Sequence, residues 1–302
     1  QAIGQAGVTA WAFVWTNIAN FIGNVIFIYG DAGLAWFGLP GIGLPALGVF
    51  GSGLSSTMAS FVALMALYRP LMRHGGRPEP EDFRRDPETM RQIARLGKPI
   101  ALHLLAEAGA FSLAGVFAGW LGPQALAGHQ VALGLASMSF VFALGVANAT
   151  AVRVGLAVGR NDSAGVRRAG FAGLLAGTLM MSVSILLFAF APGLCARVLT
   201  DKPDVIRNAV PLLRIAAIFQ LADAAQVIMA GALRGAGDTT TTQHVNMIGH
   251  YLVGLPLALV LGFVFHLGAE GIWWGLTAAL FGVAITLVIQ FVRLSRGEIR
   301  RI

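Results

Sequence analysis

Long stretches without charged side chains constrain the fold of this 302-residue chain more than any other feature. A helix needs about 20 apolar residues to cross a bilayer, because the hydrocarbon layer is about 30 Å thick. Dividing the uncharged stretches at Gly and Pro predicts eight such helices. Their ranges are 8–30, 46–68, 95–120, 125–151, 169–191, 206–233, 243–265 and 270–293. We therefore expect an all-α integral membrane protein with about eight transmembrane helices.

Composition agrees with this fold class. Hydrophobic residues make up 56% of the chain, charged residues only 12%, and the mean hydropathy is +0.74. A soluble domain carries about 25% charged residues. The single cysteine, Cys195, excludes a disulfide framework and gives no support to a zinc or iron–sulfur site. We read the net charge of +7 as a signal of membrane orientation rather than of nucleic-acid binding.

The distribution of basic residues predicts the orientation. If the first helix starts inside, 17 of the 21 Lys and Arg residues fall on the side that holds both chain ends. The four on the other side are Arg197, Lys202, Arg207 and Arg214. Cytoplasmic loops are rich in Lys and Arg. We therefore expect a multi-pass membrane protein with both ends in the cytoplasm.

One hydrophilic segment divides the chain into unequal parts. Residues 69–94 form a predicted cytoplasmic linker between two spans in 1–68 and six spans in 95–293, and residues 294–302 form a tail. This asymmetry predicts a complete six-helix C-terminal lobe preceded by the last two helices of an N-terminal lobe. Because the sequence begins with Gln1 rather than Met, we expect a fragment or a processed chain.

A short internal repeat supports a two-lobed design. Leu47-Gly48, Gly51 and Thr57 recur at the same spacing as Leu267-Gly268, Gly271 and Thr277. Each set opens a predicted span after a Gly-rich loop. Repeated halves are common in transporters, where the substrate binds between them near the midplane of the membrane.

Two acids lie deep inside apolar runs, whereas the other twelve lie in loops, at span ends or in the linker. They are Glu107 and Asp223. A carboxylate near the centre of a membrane helix costs about 2.5–3.5 kcal/mol on insertion scales, so such residues usually serve a function. We therefore choose Glu107 and Asp223 as the candidate ion and substrate site.

Other polar residues within the spans are weaker candidates. Gln220 and Gln226 flank Asp223 at i−3 and i+3, which predicts either a polar cavity wall or hydrogen bonds between helices. Asn20 and Asn24 form a stripe with Asn17 on the first span and have the same two readings. His129 and Gln130 are of types that more often pack than bind, and we keep only His129 as a cavity candidate. The remaining span histidines show no metal-binding spacing.

Several segments resemble the multidrug and toxic compound extrusion (MATE) family, and the match runs essentially from end to end. They are 20-NFIGNVIFIYG-30, 96-LGKPIALHLLAEAGAF-111, 127-AGHQVAL-133, 152-VRVGLAVG-159, 219-FQLADAAQVIMAGALRGAGDT-239 and 254-GLP-256. The resemblance implies a transporter of twelve helices in two six-helix lobes around a central cavity. The chain then corresponds to spans five to twelve, and we expect no transport without the first four spans.

The resemblance also assigns site residues. The acids of the family's C-terminal cation site map onto Glu107 and Asp223, which would be the ligands of Na⁺. Of the N-terminal site only Asn20 and Asn24 remain, with Ser56 or Thr57. Many multidrug members have Tyr where this chain has Phe219. The ring can still make a cation–π contact, but a hydroxyl ligand is lost, so H⁺ is as plausible a coupling ion as Na⁺.

The expected function is export of organic cations in exchange for Na⁺ or H⁺. We expect a monomer when the transporter is complete, no enzymatic activity, no cofactor other than the coupling ion, and no nucleic-acid partner. One alternative is a lipid-linked sugar flippase of the same superfamily, which would need a cationic cavity. A remote alternative is an intramembrane aspartyl protease, since 235-GAGD-238 fits a GxGD pattern, although Asp238 is better read as a helix cap.

Overall fold

A computed structural model of the chain describes residues 6–75 and 86–296. The chain forms two compact units, Gln1–Asp86 and Pro87–Ile302. All regular elements in the described ranges are helices, and eight of them are long and apolar enough to cross a membrane. The predicted all-α class and the predicted number of spans are therefore confirmed.

The first unit consists of two long helices and one short one. α1 covers Ala6–Tyr29, α2 covers Asp31–Trp36 and α3 covers Gly48–Gly75. The α1–α3 contact is close because Gly23 leaves room for the side chain of Ser55. The Ser55 hydroxyl donates a hydrogen bond to the carbonyl oxygen of Asn20 at 2.8 Å, which ties the two helices together.

Asp31 organises the loop between α2 and α3. Its carboxylate accepts hydrogen bonds from the backbone N–H groups of Ile42, Gly43 and Leu44 at 3.0, 3.1 and 3.0 Å. Hydrogen bonds from Leu44 and Ile42 stabilise the ionised form and so lower the pKa of Asp31 below its usual value. This acid therefore has a structural role at the end of a span.

The second unit contains the other six spans. Its helices are α4 Pro87–Trp120, α5 Pro123–Gly159, α6 Ser163–Phe190, α7 Pro192–Arg197, α8 Pro203–Gly235, α9 Thr239–Met247, α10 Leu255–Leu259 and α11 Gly268–Arg296. The short helix α7 lies between two spans. α9 and α10 belong to one span, Thr239–Val264, which also includes the π-helical turns Ile248–Gly254 and Val260–Val264.

Several helices extend past the predicted apolar ranges. α4 begins at Pro87 rather than at residue 95, and α5 runs to Gly159 rather than to residue 151. Charged side chains end an apolar run without ending a helix, because they can extend into the headgroup region. The predicted linker 69–94 is consequently helical from 69 to 75 and from 87 onward, and residues 76–85 lie outside the described part of the chain.

α8 is the central helix of the second unit. In an apolar 18-residue segment of α8, 83% of the residues are buried, compared with 50% in α11 and 17% in α6. It packs against α5, α6, α7 and α11, and Arg214, Ile218 and Leu221 form its exposed stripe. The residues of α8 are therefore held by protein on nearly every side.

Glycines on α8 allow α5 to approach closely. A Cβ atom on Gly231 would lie 2.5 Å from the carbonyl oxygen of Ala147, and one on Gly235 would collide with the carbonyl oxygen of Ala151. Small residues four apart on facing helices give the close backbone contact that stabilises membrane helix pairs. This contact fixes the position of α8 against α5.

The internal repeat has matching local geometry in the two units. Gly48 and Gly268 both have positive φ, 54° and 59°, and begin α3 and α11. The amides of Leu47 and Leu267 donate to carbonyl oxygens of the preceding spans, at Phe27 and Leu261. The hydroxyls of Thr57 and Thr277 donate to carbonyl oxygens one turn earlier, at Gly53 and Trp273. The repeated residues thus build the same turn into a helix twice.

The seventh span departs from the uninterrupted helix that the sequence predicted. Pro256 has no N–H to donate one turn back, and this lack loosens the ladder next to the first π-helical turn. Gly249 and Gly254 lie within that turn and contact Val283 and Ala279 of α11. The wider turn places His250 and Tyr251 on the side that faces α4.

Replacing Gly231 by alanine should destabilise the second unit. The added methyl group would press on the Ala147 carbonyl, and overpacking of this kind costs about 1–3 kcal/mol. Thermal unfolding of the protein in detergent should show a lower midpoint for Gly231→Ala. Gly145 is the matched control, because it lies on α5 with open space around its Cβ position, and Gly145→Ala should leave the midpoint unchanged or slightly raised. Equal midpoints for the two variants would contradict the close α5–α8 contact.

Candidate functional site

Three helices of the second unit enclose a cavity of about 610 Å³. α4, α5 and α8 each contribute one stripe of side chains. Among the described residues, the lining consists of Leu104, Glu107, Ala108, Phe111, Ser112, Gly115, Gln130, Leu133, Ala136, Ser137, Phe140, Leu144, Phe219 and Asp223. Glu107 and Asp223 are the only charged side chains in this set, so the structure brings the two acids to one cavity.

Helical spacing explains why these residues share a surface. The α4 positions are spaced three and four apart, the α5 stripe repeats every three to four residues from Gln130 to Leu144, and Phe219 lies one turn before Asp223 on α8. The stripes meet because α8 packs along α5 and α4 also packs against α5. Two acids that are 116 positions apart in sequence therefore reach the same cavity.

The two carboxyl groups are deeply buried. Glu107 is 8% exposed and Asp223 is 4% exposed, and their charges are near enough to interact. Two negative charges in a poorly solvated site repel each other unless a cation lies nearby. Arg234, half-buried in the last turn of α8, also interacts electrostatically with Glu107. The acids therefore share one cavity, with Arg234 as a basic neighbour of Glu107.

His103 is the immediate neighbour of Glu107. Its Nε2 atom lies 3.8 Å from a carboxylate oxygen of Glu107, one helical turn away, and both side chains are buried. The Nδ1 atom of His103 has no hydrogen-bond partner among the described residues. The sequence already placed His103 one helical turn before Glu107, and the structure shows that the two side chains meet.

Aromatic rings form the wall beside Asp223. Phe219 contacts Phe111 edge to face at 5.8 Å between centroids and Trp273 at 5.7 Å. Phe219 and Phe111 line the cavity, and Trp273 supports Phe219 from α11. The negative faces of such rings attract organic cations. Phe219, a cavity candidate from the sequence, is thus among the residues that line this cavity.

Three predicted cavity residues, Gln220, Gln226 and His129, are not among the described lining of this cavity, and each contacts another helix. Gln220 and Gln226 lie about 60° to either side of Asp223 around α8, which turns both into helix contacts. Gln220 accepts a hydrogen bond from the Ser184 hydroxyl of α6 at 2.6 Å, and Gln226 donates to Asn246 of α9 at 2.9 Å. His129 is fully buried and accepts a hydrogen bond from Trp273 at 3.2 Å.

Gln226 begins a polar chain between α8 and the seventh span. Asn246 accepts from Gln226, donates to the carbonyl oxygen of Thr242 at 2.9 Å, and offers its own carbonyl oxygen to His250 Nδ1 at 3.0 Å. His250 in turn interacts electrostatically with His103. The buried acceptor oxygen of Gln226 has no partner among the described residues. This chain connects α8 to the π-helical turn.

Asn20 and Asn24 belong to the first unit, where they have a structural role. Asn24 donates to Asn20 at 3.0 Å, and Asn20 donates to the Ser56 hydroxyl of α3 at 3.3 Å. The Asn24–Asn20 bond lies within α1, and the Asn20–Ser56 bond joins α1 to α3, which is one of the two readings that the sequence left open. The apolar groove between α1 and α3 is lined by other residues, Trp15 and Phe61 among them.

The sequence reasoning missed two polar lining residues. Gln130 was read as a packing residue, and Ser137 was not considered, yet both line the cavity. They lie seven residues apart on α5, which is two turns of a helix, in a span without charged side chains until Arg153. This spacing was the sequence signal that could have placed both side chains on one face of α5.

Asp238 caps α9 as predicted. Its carboxylate accepts hydrogen bonds from the Thr241 amide at 3.1 Å and from the Gln290 side chain at 3.0 Å.

Comparison with known families identifies the chain. The model of the MatE family matches residues 99–260, which is more than half of the chain and includes both acids. The chain belongs to the MATE family. The resemblance seen in the sequence is therefore confirmed.

Relatives at the sequence level carry the name NorM. The chain is 37% identical to the probable multidrug resistance protein NorM of Bradyrhizobium diazoefficiens, over 94% of the chain and 61% of that protein. It is 33% identical to the probable multidrug resistance protein NorM of Pseudomonas putida, over 96% of the chain and 63% of that protein. The chain thus spans a little over three fifths of these relatives.

Solved MATE structures share the fold. A crystal structure of MATE in the bent conformation superposes with a TM-score of 0.80 at 17% identity, covering 97% of the chain and 62% of that structure. A MOP superfamily transporter from Pyrococcus furiosus superposes with a TM-score of 0.81 at 17% identity, over 96% of the chain and 63% of that structure. These two comparisons support the helical fold of a MATE transporter.

Breaking the Gln226–Asn246 bond should destabilise the protein more than removing both partners. Asn246→Leu leaves the buried Gln226 amide unpaired, which costs about 1–3 kcal/mol. Gln226→Leu together with Asn246→Leu removes the unpaired group and should recover part of the loss. Thermal unfolding of the two single variants and the double variant gives the coupling directly. Additive losses would show that the bond does not link α8 to α9.

Proposed function

We propose that this chain is part of a multidrug efflux carrier that exports organic cations in exchange for Na⁺ or H⁺. The observation that carries the proposal is the pair Glu107 and Asp223 on the wall of one cavity, with no basic residue among the described lining. A buried carboxylate is costly when it is bare, so it favours any cation that can neutralise it. Membership of the MATE family and the names of the NorM relatives point to the same activity.

The exchange follows from competition for the same negative charge. A proton, a sodium ion or a cationic drug can each neutralise the acids, but they cannot all occupy the cavity together. Entry of the coupling ion therefore weakens binding of the drug, and the drug weakens binding of the ion. Alternating exposure of the site to the two sides of the membrane would then convert ion entry into drug exit.

The cavity dimensions suit drug-sized organic cations. A volume of about 610 Å³ lies within the usual range of small-molecule pockets, about 300–1,000 Å³. Most of the lining is apolar, and Phe111 and Phe219 offer ring faces to a cation. Gln130 and Ser137 add a few hydrogen-bonding groups. This combination favours flat or bulky cations of varied shape over one particular substrate.

The coupling ion is proposed as H⁺ or Na⁺. Phe219 supplies no hydroxyl ligand, so a sodium ion would rely on the carboxylates of Glu107 and Asp223 and on backbone or solvent oxygens. His103 lies next to Glu107, with its Nε2 atom 3.8 Å from a carboxylate oxygen.

The other functions considered from the sequence have less support. A lipid-linked sugar flippase must hold an anionic pyrophosphate, whereas the charged side chains of the described cavity lining are both acids and would repel it. An aspartyl protease needs two facing acids, whereas Asp238 is engaged as the cap of α9 and as a partner of Gln290. A carrier in the bacterial inner membrane, with both ends cytoplasmic and acting as a monomer, remains the proposal.

Neutralising both acids should abolish binding of an organic cation. The cavity lies entirely within the second unit, so tetraphenylphosphonium binding can be measured by calorimetry on this chain in detergent. Glu107→Gln with Asp223→Asn should weaken binding at least about tenfold. In a poorly solvated site, the attraction between the bound cation and the two carboxylates is worth more than about 1.4 kcal/mol. Loss of resistance should accompany this in a complete transporter that contains the chain.

The matched control changes the same charge outside the cavity. Glu270 is exposed in the first turn of α11, and Glu270→Gln with Asp204→Asn removes two acids without touching the cavity. This variant should bind tetraphenylphosphonium like the unchanged protein. The assignment of the site would be refuted if the cavity variant bound as tightly as the control while both remained folded.

A further inference from the structure

A second recess lies on the surface of the second unit, between α5 and α6, and has no role in the proposed transport. Its volume is about 640 Å³. The described residues that line it are Val146, Ala149, Thr150, Arg153, Leu156, Ala157, Arg160, Asp162, Gly165, Arg168, Ala169, Ala172, Gly173 and Ala176. Small and apolar side chains form one end, and charged side chains surround the other.

The apolar end is a groove of small residues. Gly173 lies against Thr150, so the two helices touch at the floor, while the alanines at 149, 172 and 176 leave space above it. The Thr150 hydroxyl donates to the Val146 carbonyl at 2.7 Å. Thr150 is the one polar side chain in this part of the described lining, and this bond leaves its hydroxyl without a proton to donate to a ligand. Such a floor suits a hydrocarbon chain rather than a polar ligand.

The charged end presents three guanidinium groups. Arg153 lies near the C-terminal end of α5, Arg160 is the C-cap residue of α5, and Arg168 comes from the second turn of α6. All three side chains belong to exposed residues, and within residues 6–75 and 86–296 none of them forms an ion pair with an acid. Asp162 is the one acid in the lining, and it accepts a hydrogen bond from the Gly165 amide at 2.7 Å as the cap of α6. The charged end of the groove therefore has a net positive charge.

We propose that this groove binds an anionic phospholipid. One acyl chain would lie along the alanine floor between α5 and α6, and the phosphate would lie among Arg153, Arg160 and Arg168. Guanidinium groups suit phosphate oxygens because their N–H donors can form paired hydrogen bonds. Basic pockets at the ends of membrane helices bind lipid headgroups of this kind.

The position of the groove favours a lipid over a soluble anion. α5 and α6 are both long enough and apolar enough to cross the membrane, and α6 exposes Leu175 and Leu179 beyond the groove. The apolar floor is thus continuous with a surface that faces acyl chains. The arginines lie where the helices end, which is the depth of the phosphate layer. A free phosphate ion would neutralise the arginines but would leave the floor uncovered.

Native mass spectrometry of the chain in detergent tests the proposal with defined lipids. Palmitoyl-oleoyl phosphatidylglycerol should bind more tightly than the phosphatidylcholine with the same acyl chains. Arg153→Gln, Arg160→Gln and Arg168→Gln together should weaken phosphatidylglycerol binding at least about tenfold, since each basic residue near an anionic lipid contributes to affinity. The control triple variant, Arg197→Gln, Lys202→Gln and Arg207→Gln, removes three cations elsewhere and should change it less than about twofold.

A second variant tests the acyl chain separately from the charge. Ala172→Leu with Ala176→Leu fills the groove without changing any charge, and it should also weaken phosphatidylglycerol binding. Excess inorganic phosphate should not displace the bound lipid. Displacement by phosphate, or full binding by the filled variant, would identify a simple anion site and overturn the proposal. Equal binding of the two lipids, or equal losses in the two triple variants, would overturn it as well.

Discussion

Hydrocarbon offers no hydrogen bonds, so polar groups on a membrane-spanning helix must find partners within the protein or carry a function. The second unit separates these two cases clearly. Gln220, Gln226 and His129 each have a hydrogen-bond partner on another helix and hold the bundle together. Glu107 and Asp223 instead border a cavity with no fixed cation among its described lining. The proposed transport depends on that difference.

The packing of α8 sets the geometry of the acids. Gly231 and Gly235 bring α8 against the backbone of α5, and the buried core around α8 prevents its rotation. Asp223 is therefore held at the cavity, two turns before Gly231 on the same helix. On the α4 side, Glu107 has His103 one turn away, and His250 of the π-helical turn interacts with His103. His103 thus lies between the wider turn and Glu107.

The sequence was sufficient for the fold class, the eight spans and the cap at Asp238, because each depends on local composition or on local hydrogen bonding. The role of the two acids, chosen for the cost of burying a charge, stays a prediction. The sequence was not sufficient for the cavity lining. Gln220 and Gln226 are offset by about 60° from Asp223 around the axis of α8, and this offset turns them from the cavity to other helices. The orientation of α8 about its axis is set by the packing of neighbouring helices, which the sequence of α8 alone does not show. Gln130 and the π-helical turns were missed for the same reason, since both depend on contacts with distant residues.

The most direct test of the central claim is a linkage measurement on the protein. Tetraphenylphosphonium affinity should be determined by calorimetry at a series of pH values and at a series of Na⁺ concentrations. If the cations compete for Glu107 and Asp223, affinity should fall as either H⁺ or Na⁺ increases, and the drug should weaken binding of that ion by the same factor. An affinity that stays constant across both series would contradict exchange of cations at these two acids.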